Sequence, residues 1–146
     1  MKIRVIWPGK TKERFILEGM KKYLTLLRPY ADIHITEIKE EGGSDVRKIP
    51  GKEGERILKP QVPYTLLDEK GEALTSMEFA SYVAGHQSSI NFVLGGAYGV
   101  SEEVKKRAHD IISLSRMTFT HEMSRLFFLE QLYRAFTIKH KRGYHH

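Results

Sequence analysis

Three glycines in the second half of the chain stand where a backbone could come close to a small molecule. Gly95, Gly96 and Gly99 follow the apolar run Ile90–Leu94, which contains one polar residue, Asn91. Glycine tolerates positive φ and leaves room for a ligand beside the backbone. The spacing matches neither G-x-G-x-x-G nor a P-loop, because no Lys-Ser/Thr follows, so a phosphate cradle is not indicated. Spacing alone leaves two interpretations open, a cofactor-binding loop or a tight strand-to-helix turn.

A loop that mixes polar and apolar side chains follows the next apolar stretch, Ile111–Leu114. Its polar members are Ser113, Ser115, Arg116, Thr118 and Thr120, and its apolar members are Leu114, Met117 and Phe119. In such a loop, backbone amides could read the edge of an adenine while apolar side chains cover its faces. The alternative is the capped start of a helix, with Met117 and Phe119 in the core.

The C-terminal segment 139–146 is basic and contains an aromatic residue. Arg142 could contact a phosphate, and Tyr144 or His145 could stack on an unpaired base. The alternative is a frayed, solvated terminus. A purification-tag remnant is a further explanation for His145 and His146.

Composition limits the classes of protein that the chain can represent. It has no cysteine, which excludes disulfides, cysteine zinc sites and a cysteine nucleophile. Its histidines show no i, i+4 pairing, so we predict no metal site. The net charge of +6 suits a polyanionic partner such as a nucleic acid. With no membrane-length apolar run and no signal peptide, we expect a cytoplasmic protein without membrane attachment, built as one domain over residues 1–146.

The elements that must position these residues alternate along the chain. We predict strands at Ile3–Trp7, Asp32–Ile38, Tyr64–Leu67, Ile90–Leu94 and Ile111–Leu114. We predict helices at Glu13–Leu27, Lys52–Lys59 and Ser76–His86, a fourth helix capped by Ser101 and a last helix from Thr120 to about Lys139. We expect Glu40–Gly51 to be a loop and Asp68–Gly71 a turn. This alternation indicates an α/β fold, a mostly parallel sheet with helices on both faces, whose carboxyl edge would bind a small molecule.

The last helix is apolar on more than one narrow stripe between Met123 and Phe136. A helix of this kind is buried on most of its faces. The burial could come from the core of one chain, or partly from a second subunit in a homodimer. The periodicity does not decide between these two arrangements.

Several blocks together resemble one known family. They are K-E-G-E-R-I-L (52–58), L-L-D-E-K-G (66–71), F-V-L-G-G-A-Y-G (92–99), I-S-L-S-R-M-T-F-T-H (112–121), L-E-Q-L-Y-R-A (129–135) and the closing Tyr144-His145. In this combination the chain is similar to the SPOUT-class ribosomal large subunit methyltransferase H family. The resemblance implies a homodimer with a C-terminal trefoil knot, a feature that periodicity could not reveal because knots are rare. It also implies methyl transfer from S-adenosylmethionine to N3 of a pseudouridine in 23S rRNA of the assembled 70S ribosome.

The family's functional positions transfer onto particular residues of this chain. The resemblance puts cofactor binding on Leu67, Gly95, Leu114, Ser115, Arg116, Met117, Thr118 and Phe119. It puts RNA contacts on the tail, at Arg142, Tyr144 and His145. Because N3–H is weakly acidic, a base should remove its proton near the transition state; His145 is our candidate, with Tyr144 or water as alternatives.

Two other functions are compatible with the basic charge. A non-catalytic rRNA-binding or ribosome-assembly factor would use the basic surface without a cofactor, although the glycine loop beside the Ser/Thr loop argues against it. A SPOUT methyltransferase acting on tRNA is the second alternative, and the short chain with no appended RNA-binding domain argues against that.

Overall fold

The chain folds into one five-stranded sheet and five α-helices in the computed structural model, which describes residues 1–146. The strands are β1 (Lys2–Pro8), β2 (Asp32–Ile38), β3 (Thr65–Ala73), β4 (Ser89–Leu94) and β5 (Asp110–Ser113). The helices are α1 (Arg14–Leu27), α2 (Ile49–Leu58), α3 (Ser76–Ala84), α4 (Glu102–Arg107) and α5 (His121–Lys139). The strand order is β2-β1-β4-β3-β5, and every neighbouring pair is parallel.

The sheet is buried on both faces because each inner strand sends successive side chains to opposite sides. On one face, α1, α3 and α5 cover the larger core, in which Phe92 and Phe128 pack edge to face with ring centroids 4.8 Å apart. On the other face, α2 and α4 cover a smaller core that includes Leu66 and Val93. This arrangement confirms the predicted α/β fold with a parallel sheet covered on both sides.

Helix starts follow the local signals in the sequence. Thr75 and Glu78 form the predicted reciprocal capping box at the start of α3. The Ser101 side chain accepts a hydrogen bond from Val104 N at the start of α4, and the Thr120 side chain accepts one from Met123 N at the start of α5. These caps satisfy backbone donors that the first helical turn leaves free, so they fix where each helix begins.

The helix α5 is the longest, with 19 residues, and it is buried on several sides. Phe128, Leu129 and Leu132 are fully buried, and so is the guanidinium-bearing side chain of Arg125. None of the helices combines the length and apolar composition needed to cross a bilayer.

Two local predictions were wrong. The expected loop at Glu40–Gly51 contains a 3₁₀ helix at Val46–Lys48 and the first turn of α2, which begins at Ile49 rather than Lys52. Pro50 lies in that first turn, where its fixed φ suits a helix and its missing N–H is not needed.

The expected turn at Asp68–Gly71 is part of β3, which continues to Ala73. Its pairing with β5 shifts between Leu67 and Glu72, so the polar residues form an irregular stretch within the strand. The strand then resumes because Glu72 and Ala73 pair with Ile112 and Ser113. That pairing is a long-range contact, which the local turn-like composition could not reveal.

Candidate functional site

A cavity of about 460 Å³ opens at the carboxyl edge of the sheet, beyond Leu67, Leu94 and Ser113. The adjacency of β4, β3 and β5 brings together the irregular stretch of β3 after Leu67 and the two loops that follow β4 and β5. The lining residues are Leu67, Asp68, Glu69, Leu94, Gly95, Gly96, Ala97, Gly99, Val100, Leu114, Ser115, Met117, Thr118, Phe119, Thr120, His121 and Ser124. This is the edge at which parallel α/β sheets bind small molecules.

The glycine loop is packed tightly at two positions. A Cβ on Gly95 would lie 3.2 Å from Val100 Cγ1, and a Cβ on Gly96 would lie 3.2 Å from Glu53 Oε1 and 3.3 Å from Pro8 Cβ. The loop closes through a hydrogen bond from Gly99 N to Gly96 O, and Gly99 has a φ of +81°. Glycine is therefore favoured at Gly95 and Gly96 by close packing and at Gly99 by the left-handed backbone.

Backbone donors in this loop are free to meet a ligand. The N–H groups of Gly95 and Ala97, two lining residues, have no acceptor within the chain, whereas Gly96 pairs with Gly99 in an isolated antiparallel bridge. Unpaired N–H groups at the wall of a cavity can donate hydrogen bonds to acceptor atoms of a bound molecule.

Internal hydrogen bonds fix the Ser/Thr loop across the cavity. The Ser113 hydroxyl donates to Ser115 O over 2.6 Å, and Met117 N donates to Ser115 Oγ over 3.0 Å. The Thr118 hydroxyl donates to a carboxylate oxygen of Glu69, which ties the loop to β3. Met117 is 75% exposed although it is a large apolar residue, so its side chain is available to cover a ligand.

The charges on the cavity wall favour a cation. Asp68 and Glu69 are lining residues, whereas no lysine or arginine lines the cavity. His121 is the other titratable group with a side chain at the wall. Burial, reinforced by the nearby Arg125 guanidinium, lowers the pKa of His121, so its imidazole is neutral at pH 7.

Two buried side chains hold the start of α5 at the cavity. The carboxylate of Glu122 accepts hydrogen bonds from Lys12 N over 3.1 Å and from Glu13 N over 2.9 Å. Arg125 donates to Pro8 O over 2.6 Å and lies with its guanidinium 4.8 Å from the centre of the Trp7 ring. The contacts of Glu122 and Arg125 join the start of α5 to the end of β1 and to the segment that follows it. These contacts hold the neighbouring His121 and Ser124 in place at the cavity.

The tail lies away from the cavity of its own chain. The Tyr144 hydroxyl donates to Glu130 Oε1 over 3.0 Å, and Arg134 Nη1 donates to His145 Nδ1 over 3.0 Å. Arg142 is exposed and makes a backbone bond from its N–H to Thr137 O. At 1.5 Å per residue along α5, Arg134 is roughly 20 Å from the cavity end of the helix.

The folded chain brings together most of the residues expected to bind a cofactor. Leu67, Gly95, Leu114, Ser115, Met117, Thr118 and Phe119 line one cavity, whereas Arg116 is exposed and does not line it. The residues expected to contact RNA follow α5 and lie together against its second half, away from the cavity. They are Arg142, Tyr144 and His145.

Sequence reasoning missed several lining residues. Asp68 and Glu69 were assigned to a turn, and their position at the cavity follows from the irregular continuation of β3. His121 and Ser124 carried a weak signal, because they lie in the first turn of the helix that follows the Ser/Thr loop.

Comparisons with known proteins agree with this geometry. Residues 1–145 match the family described as predicted SPOUT methyltransferases. The chain is 45% identical to a ribosomal RNA large subunit methyltransferase H of Geobacter sulfurreducens over the full length of both, and 45% identical to the protein of that name from Thermodesulfovibrio yellowstonii over 99% of both. A probable methylase family protein from Haemophilus influenzae superposes on 99% of the chain, covering 70% of its own length, with a TM-score of 0.56 at 12% identity, which supports the fold. The chain therefore belongs to the SPOUT methyltransferases and, within them, to the ribosomal RNA large subunit methyltransferase H family.

Proposed function

We propose that this chain is a cytoplasmic, homodimeric enzyme that transfers a methyl group from S-adenosylmethionine to N3 of a pseudouridine in 23S rRNA of the assembled 70S ribosome. The relatives' shared name supports ribosomal RNA of the large subunit as the substrate. The cavity at the carboxyl edge of the sheet is the single observation that carries the proposal of a bound methyl donor.

The residues of the cavity fit the chemistry of S-adenosylmethionine. Unpaired N–H groups of the glycine loop can pair with acceptor atoms of the adenine, and Leu67, Leu114 and Phe119 offer apolar contact to its faces. The carboxylates of Asp68 and Glu69 suit the positive sulfonium, because opposite charges attract strongly beside a partly desolvated wall.

The reaction requires the chain mainly to orient its two substrates. When bound, the cofactor supplies an electrophilic methyl group on a sulfonium. The glycine and Ser/Thr loops would hold that group in line with N3, and a correctly aligned pair gains much of the rate enhancement from proximity alone. We assign removal of the N3 proton to His145, with Tyr144 as a neighbouring RNA contact.

A homodimer reconciles this assignment with the distance between the tail and the cavity. The tail of one subunit can approach the cavity of the other even though it is remote from its own. The half-buried apolar residues Met123 and Leu126 and the exposed Phe127 on α5 provide a surface that a second copy can cover.

Pseudouridine differs from uridine in having a free N1–H. A site that accepts a hydrogen bond from N1–H would be left with a buried, unpaired acceptor if uridine were bound instead. Unpaired buried acceptors are costly, so this arrangement would reject uridine strongly.

The trefoil knot implied by the family belongs to the same proposal. After β5 at one edge of the sheet, the chain returns in α5 to pack against α1 and α3. This return across the sheet supports the proposed knot, in which the chain end is threaded through an earlier segment.

Two measurements test the proposal. Calorimetry should detect binding of S-adenosylmethionine to the purified protein. Mass spectrometry of 23S rRNA should detect a methylated pseudouridine in cells that contain the protein and its absence when the gene is deleted. If 23S rRNA lacks this methyl group in both strains and the deletion strain instead loses a methyl group from tRNA, the tRNA alternative is favoured. If calorimetry detects no binding of S-adenosylmethionine, the non-catalytic assembly factor is favoured.

A further inference from the structure

A buried carboxylate with a free oxygen lies behind Gly96, a lining residue of the cavity, without lining the cavity itself. Glu53 on α2 is 2% exposed, and its Oε2 accepts a hydrogen bond from Glu41 N over 3.1 Å. Its Oε1 has no hydrogen-bond partner. That free oxygen lies 3.2 Å from the point where a Cβ on Gly96 would stand, and Gly96 is a lining residue of the cavity.

No cation of the chain neutralises this oxygen. The Arg56 guanidinium, which acts on Glu53 electrostatically, is itself paired with Glu41. The other charged groups that act on Glu53 are the carboxylates of Glu40 and Glu41. Burial, followed by the repulsion from these two carboxylates, raises the pKa of Glu53, while the Glu41 N–H and the Arg56 guanidinium oppose the rise.

A buried carboxyl oxygen without a partner is unusual and calls for an explanation. The hydrogen bond from Glu41 N accounts for Oε2, but it leaves the buried Oε1 unexplained. The nearby cavity offers an explanation for the free oxygen. The lining of this cavity has carboxylates but no lysine or arginine, and the negative potential of Glu53 would add to theirs.

Resting on the cofactor proposed above, we infer that Glu53 determines the charge specificity of the cavity. Its carboxylate makes the site prefer the cationic sulfonium of S-adenosylmethionine over the neutral thioether of S-adenosylhomocysteine, which remains after methyl transfer. The two molecules share their adenosine, ammonium and carboxylate groups, so only the sulfonium charge distinguishes them electrostatically. The same preference would favour release of the spent cofactor.

The effect should be measurable. Two unit charges about 10 Å apart, at an effective dielectric constant of about 20, change a binding constant by roughly tenfold. Calorimetry should therefore give an affinity ratio of S-adenosylmethionine to S-adenosylhomocysteine that falls roughly tenfold in Glu53→Gln. The matched control is Glu55→Gln, which removes an exposed carboxylate from the same helix and should leave the ratio unchanged.

The wild-type protein provides a second test that does not depend on the folding of a variant. As the pH falls toward the raised pKa of Glu53, the carboxyl gains a proton and the preference for the sulfonium should shrink. Binding of S-adenosylmethionine should then release more protons than binding of S-adenosylhomocysteine, as measured by calorimetry in buffers of different ionisation enthalpy. In Glu53→Gln both differences should shrink to the part that the lining carboxylates Asp68 and Glu69 contribute.

The outcomes separate this inference from the proposed function. If Glu53→Gln weakens both ligands equally, or neither, the cofactor assignment stands and the specificity role is overturned. If the variant does not fold, a wild-type ratio that is constant with pH overturns the role in the same way. If the folded wild-type protein binds neither molecule, the cofactor itself is wrong, and the inference falls with it.

Discussion

Tyr144 donates a hydrogen bond to Glu130 Oε1 over 3.0 Å, so the C-terminal tail lies against the second half of α5. Arg134 stacks on the same phenol ring, with its guanidinium carbon 4.8 Å from the ring centre. Burial, with hydrogen bonds to Tyr23 and Glu130, raises the pKa of Tyr144, so the phenol is protonated at neutral pH. In this position Tyr144 is suited to donate hydrogen bonds or to stack, which agrees with our proposal that His145 acts as the base.

Deletion of residues 142–146 should separate cofactor binding from catalysis. The cavity residues lie upstream, so binding of S-adenosylmethionine and dimerisation should be nearly unchanged in calorimetry and light scattering. Methylation of 70S ribosomes should fall by roughly 100-fold or more, the typical contribution of a positioned acid–base group. A truncated enzyme that methylates ribosomes at the wild-type rate would reduce the tail to a solvated terminus.

Single substitutions in the tail should divide that effect. Tyr144→Ala should mainly raise KM for ribosomes, because it removes a stacking surface. His145→Ala should mainly lower kcat and alter its pH dependence, because it removes the base. A guanidinium can only donate hydrogen bonds, so His145 Nδ1 accepts the bond from Arg134. His145, our proposed base, must therefore leave this contact before Nδ1 can take up a proton.

Gly95→Val should strongly weaken cofactor binding in a folded protein. Its Cβ would lie 3.2 Å from Val100 Cγ1 and 3.3 Å from the carbonyl carbon of Gly99, and its methyl groups would reach further into the loop. We expect affinity for S-adenosylmethionine to fall by roughly 100-fold, or about 2.7 kcal/mol. Gly42→Val is the control, since a Cβ there meets nothing within 4 Å. Equal calorimetric affinities in the two variants would refute the assignment of the loop.

The protein should be a homodimer with a mass near twice 16.9 kDa in light scattering. Phe127→Glu should shift it toward the monomer, because a charge would replace an exposed apolar side chain on the proposed interface. Met77→Glu is the matched control, since Met77 is an exposed apolar residue on α3. A stable monomer that methylates ribosomes would contradict the model of a shared site.

Glu122→Gln should destabilise the fold by about 2 kcal/mol at pH 7, because it weakens charge-assisted hydrogen bonds from Lys12 N and Glu13 N. Burial alone would raise the pKa of Glu122, but the hydrogen bonds from Glu13 N and Lys12 N outweigh burial and lower this pKa below its ordinary value. A carboxylate with a lowered pKa stabilises the fold above its unfolded pKa and loses that contribution as the pH falls through its folded pKa. Urea denaturation should therefore show a loss of unfolding free energy in Glu122→Gln at pH 7 and a smaller loss below pH 4. The control is Glu18→Gln, which changes an exposed residue on α1 and should leave the unfolding free energy unchanged at both pH values.

The sequence by itself determined the elements whose signals are local. Alternating apolar runs predicted the strands, and Thr75, Ser101 and Thr120 predicted the helix starts that the structure confirms. Each of these signals depends on the conformational preference of a few neighbouring residues, so composition and spacing were sufficient. For the glycines after β4 and the Ser/Thr loop after β5, spacing alone left a ligand loop and a purely structural role both open, and the structure brings the two loops to one cavity.

Only the tertiary structure decided how distant segments meet. The strand order places β3 between β4 and β5, and this brings Leu67 beside Gly95 and the Ser/Thr loop at one cavity. The continuation of β3 past Asp68 depends on pairing with β5, and the burial of Glu53 depends on how α2 packs near Gly96. The tail likewise follows α5 because of contacts to Glu130 and Arg134. These features arise from contacts between residues far apart in the chain, and no local pattern encodes which partner a strand edge, a carboxylate or a chain end will find.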